Sequence, residues 1–110
     1  MILLESDLKI INRNKIDIPV LKEKIETLFL CENLNSRCRK PKFTDSRKML
    51  TYILRKYYYF SLEKIGEILN RDHSTVFYYQ NSFEDILATE PKIKKMYDNF
   101  INSNFGERND

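Results

Sequence analysis

Glycine is nearly absent from this chain: Gly66 and Gly106 are its only two. A loop that cradles phosphates with backbone N–H groups needs several glycines close together, so neither a nucleotide nor ATP-driven work is expected of this sequence. Cysteine is almost as scarce. Cys31 and Cys38 have six residues between them and no nearby histidine or second cysteine pair, which argues against a zinc site. The single histidine, His73, has no second imidazole with which to share a metal. Asp72, His73 and Ser74 are consecutive, so around a helix turn they diverge instead of forming a catalytic relay. No metal, no cofactor and no enzymatic activity are therefore expected. No apolar run approaches the roughly 20 residues that span a bilayer. The Met1-Ile2-Leu3-Leu4 start has no basic region and meets Glu5 and Asp7 too soon for a signal peptide. A cytoplasmic protein with reduced thiols and no membrane partner is the expectation.

What is present suits one small domain. Of 110 residues 42% are hydrophobic, enough for a single core, and 32% are charged. A net charge of +3 is too mild to name a nucleic-acid partner, so the distribution of the cations has to decide. Lys, Asn, Ile, Tyr and Phe are abundant while Gly, Ala, Pro and Trp are scarce. That is the bias of A+T-rich codons, as in a low-GC bacterium or a phage.

Taken in order, Leu4, Leu8 and Ile11 recur at helical spacing, so residues 1–16 read as a helical extension. It either packs on the domain or offers a surface for self-association or a protein partner. Asp17 then opens a helix containing Pro19, with Leu21, Ile25 and Leu28 on one stripe, that reaches about Cys31. The stretch from Asn33 to Thr44 reads as a loop. It carries Arg37, Arg39, Lys40 and Lys42 with no acidic residue among them, the clustering that phosphate contacts and minor-groove insertion require. A helix from Thr44 or Asp45 to about Tyr59 follows, opening with Arg47 and Lys48. It buries Met49, Leu50, Ile53, Leu54 and Tyr57 and aligns Lys48, Thr51 and Arg55 on an exposed edge. The run Tyr57-Tyr58-Tyr59-Phe60 reads as core plus surface rather than as a stacking platform. At the other end, Thr89-Glu90-Pro91 starts a last helix with the stripe Ile93, Met96, Tyr97, Phe100 and Ile101. Residues 17–102 form the expected domain and residues 103–110 a flexible tail.

The centre of the chain is Arg71-Asp72-His73-Ser74-Thr75-Val76. Ser61 can cap a short helix with Leu62, Ile65 and Leu69 on one face, and Asn70 tolerates the left-handed conformation that would end it. Asp72 can accept from the backbone N–H of Ser74 or Thr75 and so cap a second helix. In that helix Val76, Tyr79, Phe83 and Leu87 form the core stripe, with Ile86 beside it. Ser74, Phe77, Tyr78 and Asn81 then point outward. Two helices and a tight turn make a helix-turn-helix, whose second helix enters the major groove by its N-terminal turns.

The run from Ser61 to Val76 resembles the DNA-binding domain at the C-terminus of DnaA-type bacterial replication initiators, whose signature reads roughly S-L-x-x-I-G-x-x-F-G-G-R-D-H-[TS]-T-V. A weaker similarity extends from about Asp17 to Asn102. The turn here, Leu69-Asn70-Arg71, is one residue shorter than the family's Phe-Gly-Gly-Arg, and serine stands for the first threonine. The resemblance implies an all-α fold of five to six helices, of the Trp-repressor and DnaA domain IV kind. It also implies that Arg71, Asp72, His73, Ser74 and Thr75 lie at the major groove and that an upstream arginine, matched here by Arg47, enters the minor groove.

Together these readings predict a sequence-specific double-stranded DNA-binding protein, nucleoid-associated, serving replication or transcription control as an accessory factor of a bacterium, phage or mobile element. Base contacts are expected from Asp72, His73, Ser74, Thr75, Tyr78 and Asn81. Backbone or minor-groove contacts are expected from Arg37, Arg39, Lys40, Lys42, Arg47, Lys48, Arg55 and Arg71. The competing reading is a helical protein–protein interaction module that modulates a host replication or transcription factor, using exposed Phe77 and Tyr78 and the residues Leu4, Leu8 and Ile11.

Overall fold

The computed structural model describes residues 16–106. These form five helices and no strand: α1 (Ile18–Phe29), α2 (Pro41–Tyr57), α3 (Leu62–Leu69), α4 (His73–Thr89) and α5 (Pro91–Phe105). The helical extension expected over residues 1–16 lies, except for Ile16, outside the described residues.

Local chemistry sets most of the boundaries. In α1 the buried residues Leu21, Ile25 and Phe29 recur every fourth position, and Leu30 stops the helix by turning left-handed at φ 57°. The N–H of Cys31 then donates to the Glu26 carbonyl at 2.9 Å and that of Leu30 to Thr27 at 3.1 Å, a paired C-terminal cap. Phe29 thus takes the place expected for Leu28, which is half-buried. Pro41 starts α2, earlier than the expected Thr44 or Asp45. Its fixed φ suits a first turn, where its missing N–H costs nothing. Lys42 and Thr44 therefore belong to the helix rather than to the loop.

The motif helices begin and end as their capping residues predict. Ser61 Oγ accepts from the Lys64 N–H at 3.1 Å, Asn70 adopts φ 59° and ψ 50°, and Asp72 Oδ1 accepts from the Thr75 N–H at 2.8 Å. The last helix runs past the expected boundary at Asn102. Phe105 is buried, its ring stacked on Tyr57 with centroids 5.0 Å apart, so residues 103–105 belong to the domain and not to a tail.

Helix α2 is the central strut, packed against α1, α3 and α4, while α5 closes over α4. Its sides are covered from several directions, which explains one departure from the expected pattern. Thr51, placed by spacing on an exposed edge with Lys48 and Arg55, is fully buried, with no hydrogen-bond partner for its hydroxyl. Between α2, α4 and α5 the rings of Tyr52, Phe83 and Tyr97 meet at centroid distances of 5.4–5.6 Å, in the tilted and edge-on geometries that aromatic quadrupoles favour. Burial of Tyr52, with the Glu84 charge adding to it, raises its phenol above the ordinary range.

The angle between α3 and α4 depends on Gly66. The carbonyl of Gly66 accepts from the Arg71 N–H at 2.8 Å, so the turn folds directly against the helix. A Cβ at Gly66 would stand 2.5 Å from the Arg71 carbonyl oxygen, a backbone atom with no side-chain freedom to yield. Alanine normally improves a helix interior by about 1 kcal/mol over glycine. Here the clash reverses the sign: Gly66→Ala is expected to destabilise the domain by about 1–3 kcal/mol in urea unfolding. A neutral or stabilising result would show that the turn can shift away from α3.

Candidate nucleic-acid interface

The segment between α1 and α2 is fixed from several sides. Leu34 is fully buried, and its N–H donates to Glu26 Oε2 at 3.0 Å. Asn35 Nδ2 donates to the Ile68 carbonyl of α3 at 2.7 Å, and Asn35 Oδ1 accepts from the Lys22 ammonium of α1. Arg47 of α2 reaches back beneath the segment, its Nε donating to the Leu34 carbonyl and its Nη2 to the Ser36 carbonyl, both at 2.8 Å. The same Ser36 carbonyl accepts from Arg71 Nη2, and Arg71 Nη1 donates to the carbonyls of Leu69 and Asn70. One peptide oxygen thus joins the loop, α2 and the turn of the motif.

This arrangement corrects the expectation for Arg47. It is only 2% exposed and spends Nε and Nη2 on loop carbonyls, so it braces the interface from below instead of entering a groove. Spacing held a signal for this, since Leu50 and Leu54, both expected in the core, lie three and seven positions further along α2 and are buried. Arg71 is likewise half-buried, and its guanidinium ties the turn to the loop.

With Arg47 as part of the floor, a cleft of about 580 Å³ opens between the loop and the motif. Arg37 and Arg39 line it from the loop, Thr44 from α2, Asn70 and Arg71 from the turn, and Thr75 and Tyr79 from α4. Thr44, Asn70 and Tyr79 were not among the sequence candidates, because only the tertiary fold brings them beside the arginines. Lys40 and Lys42 stay exposed at the start of α2. Lys48 places its ammonium 5.4 Å from the centre of the Tyr78 ring. Arg55 lies elsewhere: its Nε donates to Gln80 Oε1 and its Nη1 to the Phe60 carbonyl, both at 3.1 Å, beside a separate hollow that includes Glu84. The structure therefore does not bring Arg55 to the arginine cleft.

Over His73 to Asn81, the first turns of α4, the exposed residues are His73, Ser74, Phe77, Tyr78 and Asn81, while Thr75 is half-buried at the cleft wall. His73 and Asp72 look onto a shallow depression shared with Glu63 and Glu67 of α3, the acidic side of the turn. The cationic and acidic sides of the motif thus meet at Asn70 and Arg71.

Residues 30–82, from the end of α1 into α4, match the bacterial DnaA protein helix-turn-helix family. The chain carries a DnaA-type helix-turn-helix. One curated relative is the chromosomal replication initiator protein DnaA of Gloeobacter violaceus, 33% identical over 66 residues. That match covers 59% of this chain and 15% of the relative. No solved structure matches. A DnaA-type helix-turn-helix implies DNA binding. Among the described residues no helix is long and apolar enough to cross a membrane.

Two expected outcomes test this construction without DNA. Arg47→Met keeps the aliphatic bulk but leaves the Leu34 and Ser36 carbonyls without its donors. Urea unfolding should show a loss of about 1.5–3 kcal/mol, typical of hydrogen bonds to a charged group, whereas a solvated groove contact would leave the midpoint unmoved. The cap of the DnaA-type α4 gives a pH dependence. Hydrogen bonds from the Thr75 backbone, then its side chain, hold the Asp72 carboxyl below its ordinary value of 3.8, with His73 adding to the effect. Because the folded value is the lower one, this stabilisation is complete above the ordinary value and is lost as pH falls through the depressed one. Asp72→Asn, which still caps, should flatten the acid limb of a melting temperature–pH curve. An unchanged limb would mean that Asp72 contributes nothing to acid sensitivity.

Proposed function

We propose that this chain is a sequence-specific double-stranded DNA-binding protein. In this reading the first turns of α4 lie in the major groove, and Arg37, Arg39, Lys40 and Lys42 lie on the adjacent backbone or minor groove. The observation that carries it is the cleft itself. Arginines from the loop and Thr75 from the second helix of a DnaA-type motif line one opening, so a duplex seated on α4 presents its phosphates to the loop. Base contacts fall to Asp72, His73, Ser74, Thr75, Tyr78 and Asn81, and Lys48 and Arg71 add charge beside them.

The rest of the role follows from what the sequence can and cannot do. With Gly66 and Gly106 as its only glycines, it has no phosphate-binding loop and marks a site without opening the strands by ATP. That suits an accessory replication or regulatory factor of a bacterium, phage or mobile element, located at the nucleoid.

The test separates charge from readout. Replacing Arg37, Arg39 and Lys42 together by Ala should weaken binding to every duplex and flatten its salt dependence, since neutralised phosphates release counterions. Thr75→Ala and Asn81→Ala should each cost about 1–3 kcal/mol on a duplex selected from a random pool and less on unrelated DNA. Electrophoretic mobility at two salt concentrations reads both effects. Unchanged site preference in both single variants, with the fold intact by circular dichroism, would remove α4 as the reading helix and favour a protein partner.

A further inference from the structure

Helix α4 contains no lysine or arginine. Among the described residues the large aromatic side chains left exposed are Tyr59, Phe77 and Tyr78, and two of these three stand side by side on α4. Phe77 is 52% exposed and Tyr78 59%, and with Ser74 and Asn81 they form the stripe opposite the buried Val76, Tyr79 and Phe83. A helix offered to the major groove thus presents an apolar centre between two small polar groups. Tyr78 is steadied from α2, where the Lys48 ammonium lies 5.4 Å from its ring centre, and from its own helix by the tilted Tyr79 ring at 6.2 Å. A ring held in this way loses less freedom on binding than a loose one.

Among the groups that base pairs present in the major groove, the thymine C5-methyl is the apolar one. The others are hydrogen-bond donors and acceptors, which a phenyl ring cannot satisfy. We propose that Phe77 and Tyr78 read thymine C5-methyl groups, so that the target of this domain is a thymine-containing major-groove face recognised by its methyls as well as by its hydrogen bonds. This rests on the DNA-binding reading above and deepens it. It also divides the labour: the loop arginines supply charge, Ser74 and Asn81 supply hydrogen bonds, and the aromatic pair supplies contact with methyls.

The experiment uses the full chain and a duplex selected from a random pool, synthesised with thymine or with deoxyuridine at each thymine of the site. Deoxyuridine keeps the base-pairing and groove hydrogen-bonding groups and removes only the methyl. For the wild-type protein each contacted methyl should be worth about fourfold in affinity, the value of burying one methyl-sized apolar group. In Phe77→Ala/Tyr78→Ala the ratio between thymine and deoxyuridine duplexes should fall towards one, while the salt dependence set by the loop persists. Both residues are exposed, so circular dichroism should confirm an unchanged fold. Equal affinity of the wild type for both duplexes overturns the methyl reading and leaves DNA binding standing. A methyl preference that survives the double substitution overturns the assignment to these two rings. Absence of salt-dependent duplex binding by the wild type overturns the DNA reading itself, and leaves the exposed pair as a surface for a protein partner.

Discussion

The Arg47 guanidinium, buried beneath the loop and bonded to the carbonyls of Leu34 and Ser36, is the contact on which the interface depends. An arginine stays charged at any pH a protein meets, so it can be buried only where acceptors surround it. Those acceptors are loop peptides, and the path of the loop is set by the need to supply them. The buried Leu34 holds one end of the loop in the core, and the Ser36 carbonyl, shared with Arg71, ties it to the turn of the motif. Arg37 and Arg39 follow directly in sequence. They face the cleft because the residues before them are committed inward.

The turn of the motif is over-determined in a similar way. Gly66 lets α3 approach the Arg71 carbonyl, Asn70 takes the left-handed conformation, and Asp72 caps α4 through Thr75. Each of these side chains or missing side chains settles one backbone feature. Their agreement sets the direction in which α4 leaves the turn. Packing of α4 against the central α2 then fixes its rotation, so that Val76, Tyr79 and Phe83 are buried and Ser74, Phe77, Tyr78 and Asn81 are not.

The clustered cations and the exposed aromatic face thereby fall on different elements. Arg37, Arg39, Lys40 and Lys42 sit on the loop and the first turn of α2, whereas α4 carries no lysine or arginine. From α2, the Lys48 ammonium is engaged with the Tyr78 ring on the exposed face of α4. In the DNA-binding reading proposed above, general affinity for a polyanion would come from one segment and discrimination from another, which would allow each to vary without altering the other.

The sequence by itself determined what depends on near neighbours along the chain. Capping residues, Pro19, Pro91 and apolar spacing placed the helices apart from the early start of α2 at Pro41, and the Ser61–Val76 signature announced the motif, because caps and turns act over a few residues. Face arithmetic also separated Val76 and Tyr79 from Tyr78 and Asn81. Only the tertiary structure decided what depends on distant segments meeting. It drew Arg47 inward, buried Thr51, carried the last helix on to Phe105, and set Thr44, Asn70 and Tyr79 beside Arg37 and Arg39. A charge reads the same in sequence whether it faces solvent or the carbonyls of a loop folded over it. The difference lies in the low-dielectric surroundings that the other helices create, and those exist only after the chain has packed.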